Sequence, residues 1–189
     1  MAFQEMRTKG REVVDPVEIK KILSANQILR IGFYDEDVCY PYIVPLNYGF
    51  EYDLVSGKLT FYCHSAKKGR KLEIMKKNNR VCFEIDESWG LKQTAYACEW
   101  ALNFNSIIGV GRIYEIPDED TEAKKRGLDI IMNNHGRYHA LDYNPVSFSH
   151  TTVLKLEAEH FTGKRYRDRT GEAEAARQEA LGNSNYNAY

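Results

Sequence analysis

Residues 61–75, FYCHSAKKGRKLEIM, include the residue types that bind an anion. An apolar run ends at His64, and four of the next seven side chains are basic. A helix that begins at Ser65 would direct unpaired N–H groups and the positive end of its dipole toward the preceding loop. A phosphate at that end would also receive charge-assisted hydrogen bonds from lysine side chains. The stretch predicts either a phosphate site or a solvated basic helix face, and the lysines concerned are Lys67, Lys68 and Lys71.

Gly69 interrupts this basic stretch. Glycine inside a helix costs about 1 kcal/mol relative to alanine. Counted along a helix, Gly69 shares the inward face of Leu72 and Met75. The position therefore predicts a close approach to a neighbouring element or to a ligand.

Two other patterns contain residue types that occur in binding sites. GVGR at 109–112 has two glycines inside a strand pattern, so it is not a dinucleotide fingerprint and instead predicts a β-bulge or room for a flat ligand. His135 and His139 have the spacing of a metal pair on a helix, but Gly136 follows the first and no third ligand is evident. We therefore predict no metal site. No GxSxG, HExxH or paired-carboxylate signature supports a hydrolase.

The charge of the chain is balanced. Its 26 basic and 27 acidic side chains give a net charge of -1, which removes the general electrostatic attraction to nucleic acid. No run of 18 apolar residues could span a membrane, and residues 1–16 lack the apolar centre of a secretory signal. We expect a cytoplasmic protein with neither a nucleic-acid nor a membrane partner.

The four cysteines are widely spaced and never form a CxxC pair. Three of them lie in apolar, strand-like runs. This pattern predicts buried free thiols in a reducing compartment. The residues are Cys39, Cys63, Cys82 and Cys98.

Six segments have the residue alternation and turn chemistry of strands. Consecutive strands joined by tight turns favour an antiparallel barrel or curled sheet over a doubly wound parallel sheet. Pro45 cannot donate a ladder hydrogen bond, so it belongs at a strand edge or a bulge. The predicted strands are QILRIGFYD (27–35), YPYIVPLNYGFEYD (40–53), GKLTFYCH (57–64), NRVCFEIDE (79–87), NFNSIIGVGRIYEIP (103–117) and HTTVLKLEAEHFTGKRY (150–166).

Helices are expected at the flanks of these strands. Asp15 and Pro16 provide an N-cap and a first helical residue, and the apolar stripe that follows is Ile19, Ile22 and Leu23. A later helix over 117–135 is expected to be capped by Asp118. The segment 89–100 reads as a loop that covers something. We divide the chain into a barrel domain at 1–166 and a polar C-terminal tail at 167–189.

Taken in order, these pieces resemble the flavin-binding split-barrel family related to pyridoxamine 5'-phosphate oxidase, in its branch of nitroimidazole-resistance reductase-like proteins. The resemblance covers roughly residues 7–166. Its most specific part is the middle block, with a strand, His-Ser-Ala, a basic-Gly-basic helix and then an Asn-x-x-Val-Cys-Phe strand. The blocks are YPYIVPLNYGF (40–50), LTFYCHSAKKGRKLEIMKKNNRVCFEID (59–86) and CEWALNFNSIIGVGRIYEI (98–116), with FTGK at 161–164.

The resemblance implies a mainly β (α+β) fold, a six-stranded antiparallel split β-barrel with a few flanking helices. It also implies that FMN lies in a cleft between two barrels of a homodimer. Carried over by position, one strand faces the flavin ring, a turn lies beside it, lysines hold the phosphate, and the partner strand contacts the ring or ribityl chain. The ring-facing strand residues are Ile43, Val44, Pro45, Leu46 and Asn47, and the turn residues are His64, Ser65 and Ala66. The phosphate lysines are Lys67, Lys68 and Lys71, and the residues of the partner strand are Asn105, Ser106 and Ile107.

One departure from the family pattern concerns the phosphate. The oxidase proper usually has an Arg-Lys pair where this chain has Lys67-Lys68. Lysine binds phosphate as a point charge rather than as a bidentate fork, so we expect looser binding. No pyridoxal-phosphate substrate motif is found near the C-terminus, which argues against vitamin B6 oxidation.

The function implied is that of an FMN-dependent oxidoreductase that reduces nitroimidazoles, nitroaromatics or similar electron-poor compounds, with NAD(P)H as electron donor. His64 is the expected catalytic residue, because imidazole exchanges a proton near neutral pH; a purely structural role is the alternative. Two rivals share the fold: a flavin- or haem-binding protein with little turnover, and a pyridoxamine 5'-phosphate oxidase. A third, a barrel that stacks single-stranded nucleic acid on Tyr34, Tyr42 and Tyr48, is disfavoured by the net charge.

Overall fold

The structure, a computed structural model, describes residues 6–136 and 142–168. His139 and residues 169–189 of the predicted tail lie outside this part of the chain. The strands described are β1 (Glu12–Val13), β2 (Ile28–Asp35), β3 (Tyr40–Tyr52), β4 (Leu59–Ala66), β5 (Arg80–Lys92), β6 (Ala101–Glu115) and β7 (Thr151–Tyr166). The helices are α1 (Pro16–Ala25), α2 (Arg70–Lys77), α3 (Thr121–Asn134) and α4 (Pro145–His150), with 3₁₀ turns at Lys9–Arg11 and Ala97–Glu99.

The strands form one antiparallel sheet that closes on itself. Their order is β1-β7-β4-β3-β2-β5-β6, and β6 also pairs with β7. This closure removes the free edges that an open sheet would expose. The predicted antiparallel split barrel is therefore confirmed, with the two-residue β1 as an additional strand on the outer edge of β7.

The barrel interior forms the main hydrophobic core. Side chains from the six strands β2 to β7 fill it, and α1 and α2 add their apolar faces to the same cluster. The predicted stripe of α1 is buried as expected, and the side chain of Asp15 caps this helix by accepting a hydrogen bond from the N–H of Val17 at 2.9 Å. The largest aromatic residues inside the barrel are Phe33, Tyr48, Phe61 and Phe83.

A second, smaller core lies on the outside of the barrel, under α3. Leu128 and Ile131 of this helix pack against Tyr62 and Val153 of the sheet. Strand β4 is consequently buried on both faces over Leu59–Cys63. The N-cap of α3 is Asp120, which accepts from the N–H of Ala123 at 3.0 Å, so the predicted cap at Asp118 is wrong.

Gly109 and Gly111 allow β6 and β7 to pack tightly. The register shifts between Val110 and Gly111, which confirms the predicted bulge. A Cβ at Gly109 would overlap the ring of Phe83 and the carbonyl of His160. The close neighbour is protein, so the alternative of a flat ligand at this position is wrong.

The cysteine prediction is confirmed only in part. All four thiols are free, but Cys63 is the one that is buried. Cys82 alternates with Val81 and Phe83 on β5, and those two neighbours occupy the inner face. Cys82 therefore points outward, and the expectation of a buried thiol is wrong for Cys82, Cys39 and Cys98.

The segment 89–100, expected to be a loop, is partly strand. Strands β5 and β6 continue their pairing as far as Lys92 and Ala101, and a 3₁₀ turn lies between them. This extension, the hairpin arm (residues 89–102), exposes large apolar side chains. They are Trp89, Leu91, Tyr96, Trp100 and Leu102, each at least 39% exposed.

In the described part of the chain, no helix has both the length and the apolar character needed to cross a membrane.

Candidate functional site

Strands β3 and β4 stop pairing at one point, which we call the strand fork. They pair only from Tyr48 to Tyr52 of β3, with Tyr48 opposite Cys63. Before Tyr48, β3 pairs with β2 alone. After Cys63, β4 pairs with β7 through Ala66. The barrel is thus split between these two strands, and backbone edges are available there for a ligand.

The part of β3 beyond the fork presents a continuous outward surface. Exposed and half-buried residues alternate along it. The side chains of Val44 and Leu46, two of the predicted ring-facing residues, are half-buried and pack against the main core. The residues that face outward, here called the outer β3 surface, are Ile43, Pro45 and Asn47. Pro45 lies at a strand edge, as predicted.

The end of β4 differs from the predicted turn. His64, Ser65 and Ala66 continue the strand, and the Oγ of Ser65 donates to the carbonyl of Ala66 at 2.7 Å. Helix α2 begins only at Arg70. Ser65 is therefore not an N-cap, and no helix dipole starts there.

Gly69 has a backbone role rather than the predicted packing role. It is the N-cap of α2 with φ of 142°, and a Cβ there would meet nothing within 4 Å. Other residues rarely adopt this φ. Glycine is required at this position by the backbone angle, and the expected close approach is absent.

The basic residues near the fork differ in availability. Lys67 forms an ion pair with Asp118. Arg70 binds Asp35 at 2.8 Å and stacks on the ring of Tyr42, which fixes α2 against β2 and β3. Among the residues that the structure describes, Lys68 and Lys71 form no hydrogen bond or ion pair. Of the predicted phosphate lysines, these two are the ones whose charge is not already paired.

His64 lies beside two other basic groups. Burial, together with the positive charges of His135 and Lys71, lowers the pKa of His64 below its usual value of 6.5. The imidazole is consequently neutral at pH 7 and can accept a proton. His135 was not predicted as part of this site. In the sequence, its spacing from His139 indicates only one half of a possible metal pair. The tertiary position of α3 brings it to the fork.

The third predicted block does not meet the other two within one chain. Strands β5 and β2 separate β6 from β3 in the sheet. Ile107 is fully buried in the core. Asn105 is 3% exposed, donating to Glu87 at 2.6 Å and accepting from Arg165 at 2.7 Å. Of the predicted trio, Ser106 is only half-buried.

No cluster of three or more potential metal ligands occurs among the residues described. A cavity of about 790 Å³ lies elsewhere, between the first half of α3 and strands β3, β4 and β7. Four of its charged groups form ion pairs, Arg126 with Glu51 at 2.5 Å and Lys155 with Glu157 at 2.6 Å. None of the predicted site residues lines it. We therefore assign the candidate site to the strand fork.

Comparisons with known proteins agree with this fold. The family described as pyridoxamine 5'-phosphate oxidase matches residues 15–165. A candidate 5-nitroimidazole antibiotic resistance protein from Bacteroides thetaiotaomicron has a similar crystal structure, with 30% identity and a TM-score of 0.67 over 87% of this chain and 90% of that one. No curated protein matches the sequence.

Two further solved structures share the fold at lower identity. The flavocytochrome Anf3 from Azotobacter vinelandii has 20% identity and a TM-score of 0.67, over 90% of this chain and 78% of that one. A FAD- and haem-binding protein from Mycobacterium smegmatis has 16% identity and a TM-score of 0.69, over 88% and 80%. The family match spans most of the barrel, from the cap of α1 to the end of β7. The chain belongs to the pyridoxamine 5'-phosphate oxidase family of flavin-binding split barrels.

Proposed function

We propose that the chain is an FMN-dependent oxidoreductase that acts as a homodimer and reduces nitroimidazoles, other nitroaromatics or similar electron-poor small molecules. The observation that carries the proposal is the strand fork, where an apolar outer β3 surface adjoins basic side chains that have no carboxylate partner among the described residues. Family membership supports a flavin as the ligand. The 30% identity to the candidate resistance protein supports a nitro compound as the acceptor.

The residues at the fork fit FMN in three respects. Ile43 and Pro45 give a flat ring an apolar surface. Lys68 and Lys71 provide positive charge for a terminal phosphate, which favours FMN over a ligand without one. The Nε2 of His135 is buried and has no hydrogen-bond partner among the described residues, so a polar ligand atom would satisfy it. Bound flavin would supply the electron transfer, with NADH or NADPH as donor.

The chain's own residues would bind the ligand, orient it and manage protons. Asn47 offers amide hydrogen bonds at the inner end of the outer β3 surface. His64, neutral at pH 7, would exchange a proton with the bound ligand or substrate. No side chain described at the fork is shaped for a pyridoxal ring in particular, so vitamin B6 oxidation gains no support from this geometry.

A homodimer would complete the site. The hairpin arm exposes five large apolar side chains that no described part of the chain covers, and surfaces of this kind mark protein–protein contacts. Ile108, 51% exposed, and Ser106 lie on the outer face of β6, distant in the sheet from β3 of the same chain. A second copy would bring this face to the fork of the first.

The cellular setting proposed is the reducing cytoplasm. The four free thiols fit such a compartment, because an oxidising one favours disulfides. The net charge of -1 gives no general attraction to nucleic acid.

A second candidate function is flavin or haem binding with little turnover. The observation that favours it is the pair of histidines, His64 and His135, at one fork, since imidazole is the usual axial ligand of haem iron. The two candidates differ in the absorption spectrum and in turnover.

The test begins with the full chain expressed and purified without added cofactor. Its spectrum is recorded, and the apoprotein is titrated with FMN, FAD, riboflavin and haem. We expect a yellow protein that prefers FMN. Anaerobic addition of NADH or NADPH, followed by a panel of nitroimidazoles and quinones, should then show multiple turnovers. A protein that retains no flavin contradicts the proposal, and one that retains haem alone supports the second candidate.

A further inference from the structure

The Nε2 atom of His135 is the buried side-chain nitrogen for which the described residues provide no hydrogen-bond partner. Buried polar atoms are nearly always paired, because an unpaired one loses its bonds to water without replacement. Such an atom at a candidate binding site indicates a ligand that supplies the missing bond.

The position of His135 is fixed by the backbone around it. It caps the C-terminus of α3, where its N–H donates to the carbonyl of Met132 at 3.0 Å. The preceding residue, Asn134, donates through its side-chain amide to the carbonyls of Asn26 at 3.2 Å and Tyr48 at 3.1 Å. Tyr48 is the last residue of β3 that pairs with β4 before the strand fork. The residue that precedes His135 is therefore bonded to the fork, and the imidazole of His135 lies close enough to His64 to affect its charge.

The packing of α3 on β3 makes this attachment close. A Cβ at Gly49 would overlap the carbonyl of Ile130, so the glycine permits the helix to lie against the strand. Gly49 is two residues from Asn47 and hence on the same face of β3. The end of α3 thus borders the outer β3 surface, and His135 is at that border.

No described residue forms a hydrogen bond with the Nε2 of His135. The imidazole of His64, neutral at pH 7, interacts with His135 without such a bond, and Lys71 near His64 brings positive charge. The surroundings are basic, so the missing partner is best supplied by an electron-rich ligand.

We propose that His135 is a ligand-contacting residue of the strand fork, whose Nε2 forms a hydrogen bond with the ring or ribityl portion that riboflavin and FMN share. The proposal rests on the proposed flavin-binding function. Lys68 and the start of α2 would hold the phosphate, whereas His135 is near His64. Removing its hydrogen bond therefore weakens the binding of both flavins equally.

The test compares His135→Leu, which removes the hydrogen bond, with His135→Gln, whose amide retains one at a similar distance from the backbone. Dissociation constants for FMN and riboflavin are measured by quenching of flavin fluorescence, and the melting temperature of each apoprotein is recorded. His160→Leu, on β7 opposite Val110, is the control. We expect His135→Leu to bind both flavins about 10-fold more weakly. His135→Gln should stay within about 3-fold of wild type, and the apo His135→Leu protein should melt no lower than wild type, because an unpaired buried polar atom has been removed.

Three results would overturn the inference while leaving the proposed function intact. They are a His135→Leu protein with wild-type flavin affinity, a His135→Gln protein as weak as His135→Leu, and a loss confined to FMN. A wild-type protein that binds no flavin overturns the proposed function, and this inference with it.

Discussion

The ammonium group of Lys67 is bound by the carboxylate of Asp118, just ahead of α3. The same carboxylate accepts from Lys124 at 2.9 Å. Hydrogen bonds from Lys67 and then Lys124 lower the pKa of Asp118. A phosphate that reaches Lys67 must therefore compete with a carboxylate, whereas Lys68 has no such competitor among the described residues. The two adjacent lysines look alike in the sequence, but in the fold only Lys67 has its charge paired with this carboxylate.

Phosphate recognition should depend on Lys68 more than on Lys67, which is paired with Asp118. Replacing both Lys67 and Lys68 by alanine should weaken FMN about 10-fold or more relative to riboflavin, because only FMN carries the phosphate dianion. Lys68→Ala alone should account for most of the loss. Fluorescence titration with both flavins measures the ratio, and Lys76→Ala, on the last turn of α2, is the control. Equal losses for FMN and riboflavin would show that the lysines do not hold the phosphate.

Asp118 should contribute to stability through Lys124, whose side chain is only 2% exposed. Asp118→Asn leaves that ammonium group buried without its partner, which costs several kcal/mol for fully buried pairs. Because Asp118 is half-exposed and screened by water, we expect about 1–2 kcal/mol, measured by urea unfolding. The same change in a Lys124→Met background should cost much less. A cost that is identical in both backgrounds would contradict the assigned pairing.

The pH dependence of this effect has a definite sign. The pKa of Asp118 is lowered from 3.8 in the folded protein, so its ionised form is favoured by folding. The stabilisation is fully present above 3.8 and is lost as the pH falls through the lower folded value. Wild type and Asp118→Asn should therefore converge in stability at acidic pH.

The hairpin arm should be part of a dimer interface. Leu91 and Leu102 lie opposite each other on β5 and β6, and both are about half exposed. Leu91→Glu combined with Leu102→Lys replaces an apolar pair by an oppositely charged one, which preserves the hairpin while disfavouring burial. Light scattering should give twice the 21.9 kDa chain mass for wild type and a single chain mass for the variant, with loss of flavin.

The control for the dimer experiment is Val55→Glu, since Val55 is 97% exposed in the turn between β3 and β4. It should remain a dimer that binds flavin. A wild-type monomer that holds flavin would show that one barrel forms the site by itself.

Local features of the fold could be predicted because their causes are local. The cap of α1 depends on Asp15 and its neighbours, and the bulge in β6 depends on two glycines that permit close packing. The outward direction of Cys82 could also be predicted from the sequence, because its neighbours Val81 and Phe83 are apolar and strand residues alternate between the two faces. Only the general expectation that cysteine is buried obscured it.

The site was predicted less completely because it depends on tertiary packing. Ser65 has a good capping side chain, but pairing with Thr152 keeps it in β4. The hydrogen bond between Lys67 and Asp118 joins residues 51 positions apart. His135 reaches the fork because α3 packs on β3 at Gly49 and Asn134 binds the backbone of Tyr48. None of these relationships leaves a periodic signal in the sequence.

The pKa of His64 should respond to the charge of Lys71. Burial, His135 and Lys71 together lower the pKa of His64. Lys71→Gln removes one positive neighbour, so the pKa should rise toward 6.5, and NMR titration of the His64 imidazole measures it. Lys68→Gln is the control, since Lys68 is not among the groups that shift His64. A pKa that is unchanged in Lys71→Gln would mean that the two side chains do not interact.

The role of His64 itself can be tested by its removal. His64 lies at the end of β4 and outside both hydrophobic cores, and its backbone pairs with Val153, so His64→Ala should fold and keep most of the bound FMN. If the imidazole exchanges a proton with the bound ligand or substrate, the variant should reduce a nitroaromatic about 10²-fold more slowly. Stopped-flow mixing of the dithionite-reduced protein with the acceptor follows the return of flavin absorbance.

The pH profile separates this role from a structural one. Because the pKa of His64 is lowered, its neutral form predominates at pH 7 and is lost only as the pH falls below that lowered value. The wild-type rate should change across that acidic range, while the rates of His64→Ala and His64→Gln should not. His64→Gln retains a hydrogen-bonding group but cannot transfer a proton, so it should be nearly as slow as His64→Ala. A His64→Ala protein that reacts at the wild-type rate would leave His64 with a structural role alone.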